Sequence, residues 1–284
     1  MVAVKATALV LQELNWFDGS NVTLRRVALQ LEYDGTLFSG SQLQKNQRTI
    51  QGELEHAWWN FTNERSRANF AGRTDSGVHA LGQVATFETE KHYDMQSSIS
   101  ALNHFLPEDI AVLSMIDIPL NMDVRRHAKS RIYQYNIKDG GVRSPINRGY
   151  MWFRQKTLDV SSMNKAAKAL PLCEYDWSAF GGQVPEGYST IRKLFGYDVE
   201  RVAPNRVSVT VEASGFLPHQ MRKMVGALEK VGSGAVTPQE YVGFLDQGPG
   251  SAGPTAPAHG LTLVDVKYES SIIDWNNYKN RDVL

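Results

Sequence analysis

The chain has 284 residues, 42% of them hydrophobic and 21% charged. These proportions exclude fibrous and disordered classes and leave room for one large domain or two of about 140 residues. Lys plus Arg and Asp plus Glu balance at 30 each, but residues 1–123 carry 9 against 15 and residues 124–284 carry 21 against 15. No apolar run approaches the ~18 residues a membrane helix needs. Met1 to Gly19, with Glu13 and Asp18, lacks a secretory pattern. The single cysteine, Cys173, excludes an internal disulfide or a multi-Cys zinc site and suits a reducing cytoplasm.

Residues 1–24 read as an N-terminal extension with weak periodicity. Alternation of Val27, Leu29, Leu31 and Tyr33 with Ala28, Gln30 and Glu32 predicts a strand over 25–33 with one wetter face. Asp34-Gly35 marks a turn. Ile50, Leu54, Ala57, Trp58 and Phe61 predict an amphipathic helix over 50–61. A strand follows at 82–89. A helix at 95–106 has Asp94 as its N-cap and Pro107 as its stop, and a further strand covers 109–118.

In the second half, 130–138 reads as a strand with Arg131, Tyr133, Tyr135 and Ile137 on one face. A helix at 160–170 ends before Pro171, and Val207, Val209 and Val211 alternate in a strand at 205–213. Met221, Met224, Val225, Leu228 and Val231 draw a helical stripe over 218–231. Thr237-Pro238-Gln239-Glu240 has the pattern of a capping box with proline at the first helical position. A Gly/Pro-rich loop at 248–260 leads to a last strand at 261–268. Strands and helices without a regular βα beat point to an α+β fold. The boundary falls near 119–124, giving domains at 25–122 and 123–270 and a tail at 271–284.

Residues 125–156 hold nine basic side chains, among them Arg125, Arg126 and Arg131, against one acid, Asp139. Such a field draws a polyanion, or balances an acidic neighbouring half. There is no P-loop, no H-E-x-x-H and no G-x-S-x-G. His79 and His104 are read as satisfied histidines rather than metal ligands. The segment FAGRTDSGVHA (70–80) is the most unusual. Gly72 and Gly77 bracket Arg73-Thr74-Asp75-Ser76 ahead of a strand, a setting that presents side chains outward. Asp75 there suits a nucleophile or base, though an Asp in such a loop is more often a turn former.

FAGRTDSGVHA resembles the signature of the TruA family of tRNA pseudouridine synthases. The blocks ALQLEYDGTLFSG (28–40), TIQGELEHA (49–57), FETE (87–90), LNHFLPEDIAV (102–112), RRHAKSRIYQYNI (125–137), SGFLPHQMRKMVGALEKVG (214–232) and AHGLTLVDV (258–266) resemble that family in the same order. The resemblance implies two mixed subdomains with antiparallel-rich sheets around a central cleft. It also implies isomerisation of uridine to pseudouridine at positions 38 to 40 of the tRNA anticodon stem-loop, by a homodimer that needs no metal or cofactor.

By the same resemblance, Asp75 is the nucleophile and Arg73 helps evict the target nucleotide, as base flipping requires. Tyr133 stacks on the flipped base or takes its C5 proton, Arg222 pairs with Asp75, and Leu261 lines the uracil pocket. Arg125, Arg126 and Arg131 are the expected RNA contacts. The alternatives are the same chemistry on another RNA, a non-catalytic RNA-binding or RNA-folding protein on this scaffold, and a small-molecule nucleosidase. One position departs from the family pattern: Gly40 is followed by Ser41 instead of an aromatic residue, which predicts altered packing of the first loop.

Overall fold

In the computed structural model, which describes residues 23–275, the alternating apolar residues of 25–33 form β1 (Arg25–Tyr33). β1 lies antiparallel between β3 (His79–Thr89) and β4 (Ile110–Ile118). This inner position removes the expected wetter face. Ala28 and Gln30 are 0% and 6% exposed, and Glu32 alone of the strand is exposed. α1 (Ile50–Thr62) starts where the Thr49 hydroxyl accepts the Gly52 N–H and ends at Asn63 in the left-handed region. It buries Ile50, Leu54, Ala57 and Trp58, and Trp58 stacks on Phe87 of β3 at 4.3 Å. α2 (Met95–Phe105) is capped by Asp94 as the sequence predicts, and it packs on β4. The short β2 (Asn69–Phe70) pairs with β3 just before the 70–80 segment.

The second half supplies β5 (Ser130–Asp139), flanked by β9 (Arg206–Ala213) and β10 (Leu261–Lys267), both antiparallel to it. β6 (Trp152–Arg154) runs parallel to the end of β5. β7 (Glu174–Asp176) and β8 (Ile191–Ala203) extend the sheet beyond β9. The order is β4-β1-β3-β10-β5-β9-β8-β7. The halves of the chain meet where β10 runs parallel to β3, with Thr262 opposite His79 and Leu263 opposite Ala80. The result is the α+β class, with an antiparallel-rich sheet in which β10 bridges the start of β3 and the middle of β5.

α3 (Val160–Lys168), α4 (Gln220–Gly232) and α5 (Pro238–Gly243) pack on one another, and α3 rests on β8. Tyr197 of β8 and Tyr241 of α5 share a buried hydroxyl contact of 3.0 Å. α5 carries the full capping box of Thr237 and Glu240. α4 begins two residues later than its apolar stripe suggests, at Gln220, because His219 takes a left-handed conformation (φ 58°) that no helix continues through. Gly226 lets the loop after α5 lie directly on α4, since a Cβ there would stand 1.9 Å from the Pro254 carbonyl oxygen.

Four strands lie outside the sequence-based reading: β2, β6, β7 and the long β8. The first three are two or three residues each, too short for any periodicity. In β8 a register shift between Leu194 and Gly196 breaks the alternation, so Leu194, Tyr197 and Val199 are buried without a single period of two. The extension read at 1–24 and the tail at 271–284 lie outside the described residues, except for residues 23, 24 and 271–275. Among the described residues no helix is long and apolar enough to cross a membrane.

Candidate active site

The loop between β2 and β3 is held from several sides by buried hydrogen bonds. The Ser41 hydroxyl accepts the Thr74 N–H at 2.9 Å, and the Ser41 N–H donates to the Thr74 carbonyl at 3.0 Å. The Thr74 hydroxyl meets the Tyr33 hydroxyl at 2.8 Å. Gln83 donates to the Gly72 carbonyl at 2.9 Å, and Ser76 donates to the Phe38 carbonyl at 3.0 Å. Gly40 makes the approach possible. Its φ is +94°, and a Cβ there would lie 2.9 Å from the Thr74 carbonyl oxygen. The packing change expected at Ser41 therefore takes a definite form: a small, 1% exposed hydroxyl bonded to the backbone beside Asp75. Burial pushes the Tyr33 hydroxyl up to about 12, against hydrogen bonds from Thr74 and Gln83 that lower it, so it remains a proton-bearing strut.

Asp75 projects from this loop to the N-terminus of α4. Its Oδ2 receives Arg222 Nη1 at 3.0 Å and faces His219 Nε2 at 3.7 Å, while Oδ1 has no hydrogen-bond partner among the described residues. Arg222 is itself fixed, because its Nε donates to the Ala256 carbonyl at 2.8 Å and its own carbonyl accepts the Ala256 N–H at 3.0 Å. A charged pair tied down at both ends holds the carboxylate in one orientation. The Asp75 side chain stays one-third exposed, open to a cleft of about 890 Å³. Among its lining residues are Arg73, Asp75, Tyr133, Arg222 and Leu261, residues from distant parts of the sequence.

Tyr133 is 7% exposed and meets Phe216 edge-to-face, with ring centroids 5.0 Å apart. Burial pushes its hydroxyl well above the ordinary tyrosine value; Tyr33 adds to this, Arg131 opposes it and Asp75 adds again. The ring and its edge-to-face partner Phe216 form an aromatic wall of the cleft. Leu261 opens β10 opposite Tyr135 and is 5% exposed. Arg73 is exposed on the loop crest. Arg125 and Arg126 are exposed at the cleft mouth, their N–H groups bonded to the Asp123 carboxylate at 2.9 and 3.0 Å.

Arg131 does not present its guanidinium to the cleft as a free cation. It is 8% exposed, and it donates to the carbonyls of Ser214 at 2.7 Å and Ala71 at 2.8 Å, and also to those of Ala128 and Arg125. It is a brace between β5, the 70–80 loop and the end of β9, with its guanidinium engaged by main-chain carbonyls on the cleft lining. His79 is likewise absorbed by the backbone: its Nδ1 accepts the Gly35 N–H at 3.1 Å and its Nε2 lies 2.9 Å from the Gly149 carbonyl. Among the described residues no group of three His, Cys, Asp or Glu side chains is placed to hold a metal ion.

Sequence reasoning passed over His219, Phe216, Tyr188 and Arg192, all of which line the cleft. The signal for the first two was the block SGFLPHQMRK, where a Pro-His step precedes a helix. Tyr188 and Arg192, whose guanidinium lies 5.4 Å from the Tyr188 ring centroid, left no pattern in the sequence.

Comparison with known proteins agrees with this geometry. A family model described as tRNA pseudouridine synthase matches residues 30–125 and 172–269. The tRNA pseudouridine synthase A of Chloroflexus aurantiacus is 40% identical over 256 residues, covering 89% of this chain and 92% of its own. That of Roseiflexus castenholzii is 38% identical over 250 residues, covering 86% and 91%. That of Geotalea uraniireducens is 38% identical over 246 residues, covering 86% and 100%.

Proposed function

Since this chain belongs to the tRNA pseudouridine synthase family and isomerises uridine to pseudouridine in tRNA, we propose that Asp75 is the nucleophile of that reaction and that the cleft around it receives a uridine flipped out of an RNA stem. The observation that carries the reading is the half-open carboxylate. One oxygen is fixed by Arg222 at 3.0 Å, and the other faces a cleft lined by an aromatic ring and an aliphatic side chain. Flipping is required because a stacked uridine hides its glycosidic bond. Arg73, exposed beside Asp75, fills the place the uridine leaves. Tyr133 and Leu261 then bound the base, and Asp75 drives cleavage of the bond between N1 and C1′. The carboxylate bonds to C1′ while the electron pair of the broken bond goes to N1. The freed uracil turns, C5 bonds to C1′ and releases the carboxylate, water takes the C5 proton and N1 regains a proton from water. Atoms and electrons balance without any redox partner.

Arg222 acts in this scheme by keeping Asp75 oriented once water has left the cleft. The target is the anticodon stem-loop, at positions 38 to 40 of the tRNA, and the working form is a cytoplasmic homodimer. The ordered sequence blocks support these finer assignments, and the exposed arginines at the cleft mouth support contact with an RNA backbone.

The test is to incubate the protein with unmodified tRNA transcripts and map pseudouridine by a chemical adduct that stops reverse transcription. New stops in the anticodon arm are expected. An Asp75→Asn variant should lose at least about 10³-fold in turnover while keeping most of its RNA affinity. Undiminished turnover in that variant removes Asp75 from the chemistry. Absence of stops with the wild-type protein, despite salt-sensitive binding, favours the non-catalytic RNA-binding reading.

A further inference from the structure

A second cavity, of about 480 Å³, lies behind the catalytic loop and shares Arg73, Asp123 and Arg125 with the active cleft. Four polar side chains on its lining, Gln42, Asn69, Arg73 and Arg125, are exposed and make no hydrogen bond or ion pair with any described residue. Arg26, on the same lining, is engaged by Glu88 and the Met122 carbonyl, and the Asp123 carboxylate is occupied by the backbone N–H groups of Arg125 and Arg126. The uncommitted groups are therefore two cations and two primary amides. Phe70 supplies an apolar wall beside them.

We infer that this cavity is a second nucleotide subsite, which takes the nucleotide next to the flipped uridine along the same strand. The inference rests on the reading of the main cleft as the uridine site. The chemistry of each group fits its part. Arginine guanidinium groups bind phosphate oxygens through paired N–H donors. Primary amides offer a donor and an acceptor side by side, the pattern with which side chains read base edges in splayed single strands. An aromatic wall accepts a base face. The volume falls in the range of pockets that enclose small ligands of this size. Arg73 and Arg125 stand between the two cavities, where the phosphate joining neighbouring nucleotides would pass. Arg73 displaces the target uridine from its stack, so the neighbouring nucleotide is loosened in the same step, and a polar cavity beside Arg73 gives it somewhere to go. The outcome is selection of sequence or shape next to the modified uridine, by side chains remote from the bond that breaks.

The test compares the wild type with Gln42→Ala and Asn69→Ala on an anticodon stem-loop RNA. Both residues are exposed, so the fold should survive either change, and urea unfolding checks that it does. Each variant should raise KM about 3- to 10-fold, more than it lowers kcat, since each deletes one or two hydrogen bonds to bound substrate. The same RNA is then made with an abasic residue on the 5′ or on the 3′ side of the target uridine. One of these substrates should abolish the difference between variant and wild type, and which one it is identifies the neighbour that binds. Variants equal to the wild type on the intact RNA, or a KM difference that persists with both abasic RNAs, overturn the subsite. Asp75→Asn assayed in parallel reports separately on the uridine reading, because its loss of turnover does not depend on Gln42 or Asn69.

Discussion

Asp139 shows how a single buried charge ties stability to pH. Its side chain is 0% exposed at the end of β5, and both oxygens receive Arg201 from β8 at 2.8 Å. The Leu158 N–H adds a third bond at 2.7 Å. Burial pushes its carboxyl up, but the Arg201 hydrogen bonds and then the Leu158 N–H outweigh that and hold it below the ordinary carboxylate value. A depressed folded pKa means that its contribution to stability is complete above the unfolded value near 4 and lost as pH falls through the lower folded value. Asp139→Asn should cost about 3 kcal/mol at pH 7, measured by urea unfolding, because it leaves Arg201 uncompensated. The same variant should lose less further stability than the wild type between pH 4 and pH 2. At this scale what was legible in the sequence is which side chains come together. Asp75, Arg73, Tyr133, Leu261 and Arg222 all reach one cleft. The sequence was illegible where the job depends on the far end of the side chain. Arg131 reads as an RNA contact until its carbonyl partners are seen, and Ser41 reads as a gap until its hydroxyl is found on Thr74.

α4 is the element on which the site depends most, because it carries Arg222 and rests against the loop whose Ala256 carbonyl holds that arginine. Gly226, one turn further on, permits the contact. Gly226→Ala forces its new methyl against the Pro254 carbonyl, so α4 or the loop must move. Such overpacking should cost about 1–3 kcal/mol. Because the moving loop also braces Arg222, kcat should fall by more than the loss of folded protein explains. Thr237→Ala is the matched comparison. It removes the α5 capping box and should cost about 1 kcal/mol while leaving kcat near wild type. Equal kcat in the two variants would separate the loop from catalysis. Elements with an uninterrupted period were legible in the sequence, as the caps Asp94 and Thr237 and the strands β1, β5 and β9 show. β8 was not, because a register shift divides its apolar set and charged residues occupy much of its remainder. The start of β3 was missed for a related reason. His79 joins the sheet through β10, and Ala80 through β10 and, past a bulge, Tyr33 of β1, irregular or distant pairings that no local pattern reports.

For the molecule as a whole, a formal charge of zero conceals what an RNA would meet at the cleft. Much of the basic stretch is engaged internally: Arg154 with the 1% exposed Glu229 at 2.6 Å, Lys129 with Glu269 at 2.9 Å, and Arg131 with main-chain carbonyls. Arg73, Arg125 and Arg126 remain exposed around the mouth of the cleft, and of their guanidinium groups only that of Arg126 is ion-paired among the described residues, with Asp123 at 3.6 Å. Affinity for a polyanion follows these local cations and the counterions they release, not the total charge. Binding of tRNA should therefore weaken steeply with salt in a protein whose net charge is zero. Arg125→Ala and Arg126→Ala should each reduce the slope of log K against log salt by about 0.7–0.9, the loss of one phosphate contact. Arg131→Ala should leave that slope unchanged and lower the urea midpoint instead, since its four carbonyl partners lose their donor. Filter binding across a salt series, with urea unfolding of the same three variants, separates the two roles. If Arg131→Ala alone flattened the slope, the brace would be an RNA contact after all, and the exposed arginines would lose their place at the entrance to the site.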